Sequence, residues 1–274
     1  MKLFFFKATD SAPSPKVGLR DVLRAPLTNL YLLQELQLVL DHLGVSREDM
    51  VLDVGCGAGT STLVLSKYAK EVTGIDISIP IIQYLSSNYS SQRVKFLCLD
   101  ACDTSILLPG GGFDKSVCID TLGYVAHPRR LIQFISQNLR EGGVLVLTTP
   151  VKSPLGRNEF TKEDIVSLFA EGDFEAEIKT LCPRGFARWL NKFYDFCQRV
   201  GAEKPKKEEE LQGMDNRKFE DVAYPCLAML QKSSQKRLIL IKIATYFLFW
   251  LCQSAYRDDA AGQRFLVIAR KKTA

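Results

Sequence analysis

Histidine is nearly missing from this chain, with only His42 and His127 among 274 residues. The eight cysteines, Cys56, Cys98, Cys102, Cys118, Cys182, Cys197, Cys226 and Cys252, form no C-x-x-C pair. A zinc site of ordinary ligand spacing therefore lacks donors, and no metal is expected. Several cysteines lie in runs that read as buried, such as 96–99 and 117–119. Cysteine there behaves as a small hydrophobe, and reduced thiols are the expectation. A strong excess of either charge is missing too. Lysine and arginine number 36 against 31 acidic residues, and the resulting +5 is scattered. Nucleic-acid binding needs such charge clustered. The opening Met1–Lys7 holds too short an apolar run for a secretory signal. A cytoplasmic location is expected, with association at a membrane surface left open. At 46% apolar and 24% charged, the chain has material for one large core and no bias toward disorder or a disulfide scaffold.

What the sequence does have is alternation. Strands are read at 50–54, 71–75, 94–99, 115–119, 144–148, 174–181 and 264–270. Helices are read at 30–43 behind a Thr28 cap, and at 60–69, 80–87, 129–139 and 162–170. The helix 129–139 is expected to stop at Gly142-Gly143. Strands alternating with helices predict an α/β fold, a parallel sheet covered on both faces.

Residues 183–262 exceed what such a sheet needs and read as a helical insertion before the last strand. An amphipathic helix opens it, with Phe186, Trp189, Leu190, Phe193, Cys197 and Val200 on one face. A solvated charged link follows at 204–210. The run 238–255 would span roughly 27 Å as a helix, just short of a bilayer core. Lys242 and Thr245 interrupt it, and a strand must rejoin the sheet soon after. A buried helix is expected first and membrane-surface docking second. The chain divides into an N-terminal helical segment (1–45), a core (46–182), the insertion (183–262) and a last strand with tail (263–274), all within one domain.

Chemistry concentrates at Asp53-x-Gly55-Cys56-Gly57-x-Gly59, between a buried strand and a helix. Such glycines let backbone approach a ligand, and the helix start offers free N–H donors. The spacing is not G-x-G-x-x-G, because position 60 is Thr. Asp76 ends the next strand, at the distance suited to ribose hydroxyls.

From these residues onward the chain resembles the class I S-adenosylmethionine-dependent methyltransferases. The resemblance extends through Val94–Ala101, Gly112–Asp120 and Leu139–Pro150. It implies a Rossmann-like, mostly parallel seven-stranded sheet with helices on both faces, and S-adenosylmethionine as cofactor. Gly55, Cys56, Gly57 and Gly59 would line its methionine part, with Asp53 shaping the turn. Asp76 would hold the ribose and Ile77 pack on the adenine. Asp100 and Ala101 would read the adenine edge, with Ile119 beneath. The cofactor supplies the activation, so the protein mainly aligns the acceptor and excludes water.

Acceptor-side candidates follow Ile119: Asp120, Tyr124 and His127. Small-molecule members often read Glu-x-Leu-Glu-His-Val here, whereas this chain reads Asp120-Thr121-Leu122-Gly123-Tyr124-Val125. Tyr124 thus stands at the family's His position. His127 precedes Pro128, where a helix-start residue is the plainer account. No Asp/Asn-Pro-Pro-aromatic turn follows this strand, and Pro225-Cys226 lies far off in the insertion, so DNA is not expected as substrate. The implied acceptor is small and apolar or lipid-like, covered by the insertion as a lid. Phe186, Trp189, Phe193, Tyr246, Phe247, Phe249 and Trp250 would line the cavity or seal the insertion onto the core. The alternatives are methylation of protein or RNA, and a catalytically silent binding subunit.

Overall fold

The structure, a computed structural model, describes residues 15–25, 30–109, 112–151, 158–170, 173–183, 235–251, 256–258 and 264–273. Its centre is β1 (Met50–Val54), a short apolar strand buried from Val51 onward. On one side lie β2 (Glu71–Asp76) and then β3 (Val94–Cys98); on the other, β4 (Phe113–Ile119) and β5 (Leu139–Pro150). All these pairings are parallel. Beyond β5 come β8 (Arg264–Lys271), β6 (Phe174–Pro183) and β7 (Tyr256–Asp258), each antiparallel to its neighbour. The order is β3-β2-β1-β4-β5-β8-β6-β7.

The seven expected strands are present. The eighth, β7, has three residues and pairs with Leu181–Pro183 at the sheet edge. It lies inside the stretch read as a helical insertion. Three residues are too few to show a period-2 pattern.

Alternation along the strands sorts the core into two layers. Val51, Val117, Val146 and Leu266 face α2 (Leu30–Leu43), through Leu33, Leu36 and Leu40. Leu52, Cys118, Leu145 and Val267 face α5 (Pro128–Asn138) and α6 (Lys162–Ala170), through Phe134, Ile135 and Phe169. The short α1 (Leu19–Arg24), α3 (Thr60–Leu65) and α4 (Ile79–Tyr89) complete the shell.

Most boundaries shift by a few residues, and two of the shifts redirect the chain. α3 ends at Leu65 and the chain passes through turns before β2. α5 ends at Asn138, ahead of the glycine pair, and Leu139 already pairs with Phe113. The register then jumps, Val144 pairing with Lys115. Gly142, at φ 70°, allows the intervening residues to loop out of the strand.

The apolar run near the C-terminus forms α7 (Gln235–Leu251). Among its described side chains, buried and exposed positions separate. Phe249 is buried in the α2-side core, whereas Ile239, Ile243, Phe247 and Trp250 are exposed. Phe247 and Trp250 stack on each other. Lys242, which interrupts the run, donates from Nζ to the carbonyls of Leu23 and Ala25 beside α1, at 3.2 and 2.5 Å. No described helix is long and apolar enough to cross a membrane. The Thr28 cap, the helix 186–200, the link 204–210 and Pro225-Cys226 lie outside the described residues.

Candidate functional site

β1 and β4 are adjacent but not consecutive, so the chain departs in opposite directions from their carboxyl ends. A crevice opens where strand order reverses in this way. The turn after β1 enters it. Gly55, Gly57 and Gly59 have φ of 71°, 49° and 78°, values that exclude most side chains. The N–H groups of Gly55 and Cys56 both donate to the Ile75 carbonyl at 2.9 Å, tying the turn to β2. A Cβ on Gly55 would stand 2.1 Å from Thr121 Oγ1, and one on Gly59 would stand 2.9 Å from Leu85 Cδ2. The turn after β4 therefore packs directly against the turn after β1.

Two carboxylates fix this backbone. Asp53, in β1, is buried below the turn, and its Oδ2 accepts from Ser61 Oγ and Thr62 Oγ1, both at 2.6 Å. Burial pushes its carboxyl up to about 6, against the pull of those two hydroxyls. Asp76, at the end of β2, accepts from the Gly57 N–H through Oδ2 at 2.9 Å and from the Ser78 N–H through Oδ1 at 3.0 Å. The Cys56 side chain packs among Ile81, Ile82, Leu85 and Phe96, and burial pushes its thiol up, away from reactivity.

Ile77 is half-buried directly after Asp76. Asp100, past the end of β3, accepts from the Cys102 N–H through Oδ1 at 2.8 Å. Asp100, Cys102, Thr104, His127 and Arg130 are among the residues lining a cleft of ≈ 410 Å³. Ala101 packs at the margin of the α5-side core, and Ile119 is buried at the end of β4. The ten residues assigned to the cofactor from the sequence thus gather at the carboxyl ends of β1 to β4. Tyr124 is half-buried and its N–H donates to the Thr121 carbonyl at 3.0 Å. His127 is exposed at the start of α5, where its carbonyl accepts from the Arg130 and Leu131 N–H groups.

Two residues at this edge were not singled out by the sequence reading. Arg264, the first residue of β8, binds Asp120 through Nη1–Oδ1 at 2.7 Å and Nη2–Oδ2 at 3.3 Å. It also pairs with Glu35 of α2, which is wholly buried. Burial pushes the Glu35 carboxyl up to about 7; Arg264 opposes the rise and Asp120 adds to it. The available signal was a carboxylate set among the leucines of 30–43.

The residues present fit S-adenosylmethionine. The glycine cradle leaves backbone, not side chains, at the surface of the turn. A buried acceptor-only group stands beside it for a diol, and a half-buried aliphatic side chain with a second carboxylate suits an adenine.

Comparison with known proteins agrees. Residues 52–147 match the family model described as a methyltransferase domain. A malonyl-[acyl-carrier protein] O-methyltransferase of Paenibacillus sp. is 31% identical over 111 residues, which cover 39% of this chain and 40% of that protein. A ubiquinone biosynthesis O-methyltransferase of Coxiella burnetii is 33% identical over 108 residues, covering 36% and 42%. The chain therefore spans about two fifths of the length of these curated relatives. The crystal structure of a geranyl diphosphate C-methyltransferase from Streptomyces coelicolor, holding S-adenosylhomocysteine, matches with a TM-score of 0.51 at 15% identity, covering 86% of this chain and 76% of that one. That likeness is one of fold.

Proposed function

We propose that this chain, whose residues 52–147 match a methyltransferase domain model, is a class I S-adenosylmethionine-dependent methyltransferase that transfers the cofactor's methyl group to an oxygen of a small, apolar or lipid-like acceptor. The observation that carries this reading is the turn 55–59, three left-handed glycines at the carboxyl end of β1 braced by the Asp76 carboxylate. Bound there, the cofactor supplies an activated methyl group. The chain's own work is to hold and orient. Gly55, Cys56, Gly57 and Gly59 cradle the methionine part, and Asp53 fixes the turn from below. Asp76 accepts from the ribose hydroxyls, Ile77 packs on the adenine, Asp100 and Ala101 read its edge, and Ile119 closes the floor. Tyr124 orients an acceptor at most, and His127 serves the start of α5.

Transfer to oxygen is supported by the O-methyltransferase names of both relatives, and a small, lipid-like acceptor by the ubiquinone biosynthesis name of one. The exposed stripe Ile239, Ile243, Phe247 and Trp250 supports peripheral contact with a membrane surface from the cytoplasmic side, where a lipid-like acceptor is met.

Transfer of tritium from labelled cofactor into cell extract tests the reading. Label is expected in the organic phase; label in protein or RNA overturns the acceptor class. Tight cofactor binding without transfer would instead favour the silent binding subunit, which the Tyr at position 124 keeps in view.

A further inference from the structure

Arg264 pairs with Pro150 across the β5–β8 ladder, so it stands at the sheet edge that carries the glycine turn. Its guanidinium lies between two carboxylates of unequal situation. Glu35 is wholly enclosed, whereas the Asp120 side chain keeps 35% of its surface exposed. Asp120 is also the one described non-glycine residue in the left-handed region, at φ 55°. Its N–H donates to the Thr148 carbonyl at 3.0 Å, and the next residue, Thr121, fills the space beside Gly55. A side chain held in such a conformation persists where its surroundings over-determine it, and such positions cluster at functional sites. Neither the cradle nor the ribose contact uses Asp120. One cation shared by two carboxylates leaves no positive charge to receive an anion, whether Glu35 is ionised or protonated.

We propose that Asp120 receives the acceptor by hydrogen-bonding a neutral hydroxyl, and that Arg264 and Glu35 are positioning residues that hold it there and exclude carboxylate acceptors. This rests on the methyltransferase reading of the same site. An ionised carboxylate is acceptor-only, so it aligns an O–H and opposes a second carboxylate. When the acceptor oxygen gains the methyl, its O–H bond breaks and the proton passes to an Asp120 oxygen, then to water. A lone pair of the acceptor oxygen would form the new O–C bond while the methyl–sulfur bond breaks toward sulfur, the O–H pair stays on oxygen, and the cofactor would be left as its thioether. Arg264 grips both Asp120 oxygens in a fork, which fixes the carboxylate plane. Glu35 balances the guanidinium at the buried end.

Calorimetry on the full chain saturated with S-adenosylhomocysteine decides the matter, using decanol against decanoate and para-propylphenol against para-propylbenzoate. The hydroxyl member of each pair should bind at least about tenfold more tightly, as like-charge repulsion demands. Asp120→Asn should bring each pair within about threefold, while S-adenosylhomocysteine affinity stays within about twofold. Arg264→Met alone would orphan a buried carboxylate and threatens folding. The double variant Glu35→Gln/Arg264→Met leaves Asp120 ionised but unheld, so each hydroxyl member should bind at least about threefold more weakly while the acids stay disfavoured. Arg264→Lys should cost the hydroxyl members less, since the charge remains without the fork. Equal or tighter binding of the acids, binding of neither member, or a preference that survives Asp120→Asn overturns the proposal. Failure of the unaltered chain to bind S-adenosylhomocysteine removes the underlying methyltransferase reading instead.

Discussion

Single side chains in this site carry two duties, and the duties separate experimentally. Asp76 braces Gly57 and Ser78 through their N–H groups and also offers acceptors to a diol. Asp76→Ala should weaken S-adenosylhomocysteine binding by about 1.5–3 kcal/mol, the value of hydrogen bonds to a charged group. Calorimetry measures this, and unchanged affinity would show the ribose assignment to be wrong. Asp53 makes a different prediction because its carboxyl is pushed up, not down. Its ordinary value of 3.8 rises to about 6 in the folded chain, through burial and the Asp76 charge, with the Ser61 and Thr62 hydroxyls opposing. The folded state therefore holds the proton more tightly than the unfolded state. Its contribution to stability is fully present below 3.8 and is lost as pH climbs through about 6. Asp53→Asn, which keeps an oxygen for the two hydroxyls, cannot lose a proton. Its urea midpoint should gain on the unaltered chain across that window, and a constant difference would show that Asp53 titrates normally.

At the scale of elements, the turn after β1 is the part the sequence exposes most plainly, and the reason is locality. A buried strand, three glycines and a helix start are consecutive, so pattern and geometry coincide at 51–65. Gly55→Ala tests how fully that geometry is specified. The new methyl would meet Thr121, and the residue would keep a φ of 71° that alanine resists. Destabilisation of about 1–3 kcal/mol is expected from the backbone alone, with the clash added. Pairing it with Thr121→Ala should recover the clash but not the backbone cost, so denaturation midpoints should rank unaltered chain, double variant, single variant. Equal midpoints for all three would mean the turn adapts. Where elements depend on distant partners, the sequence is less legible. The Gly142-Gly143 pair looks like a helix stop, yet its use is a register jump set by pairing with β4. Glu35 looks like a stray charge among leucines until β8 brings Arg264 against it. β7 is invisible because it exists only by pairing with the end of β6.

Across the whole molecule, the open matter is whether the C-terminal apolar helix belongs to the fold or only visits it. Its composition invites a membrane or lid reading, since 238–251 is almost continuously apolar and periodicity cannot say which face is wet. The structure makes the distinction residue by residue. Phe249 is 1% exposed and packs in the same core as Leu33, Leu36, Val117 and Leu266, whereas Phe247, two positions earlier, is 57% exposed. Lys242 caps free carbonyls beside α1, which ties the helix to the N-terminal end of the chain as well as to the sheet. If α7 is a structural wall of the cofactor domain, Phe249→Ala must unsettle all of it. Removing a buried phenylalanine costs about 3–5 kcal/mol. In a domain of this size each kcal/mol lowers Tm by roughly 2–4 °C. Phe247→Ala should leave Tm nearly unchanged and instead reduce retention on anionic lipid vesicles, if the exposed stripe meets a membrane. A detachable anchor would behave in the opposite way, with neither substitution moving Tm, because a separate helix contributes nothing to the unfolding of the sheet. The two substitutions lie within one turn of each other, so their contrast reports burial and not position. A Tm that falls only for Phe249→Ala makes α7 part of the wall packed with α1 and α2 on that side of the sheet, and leaves its outer face free to bring that wall to a surface.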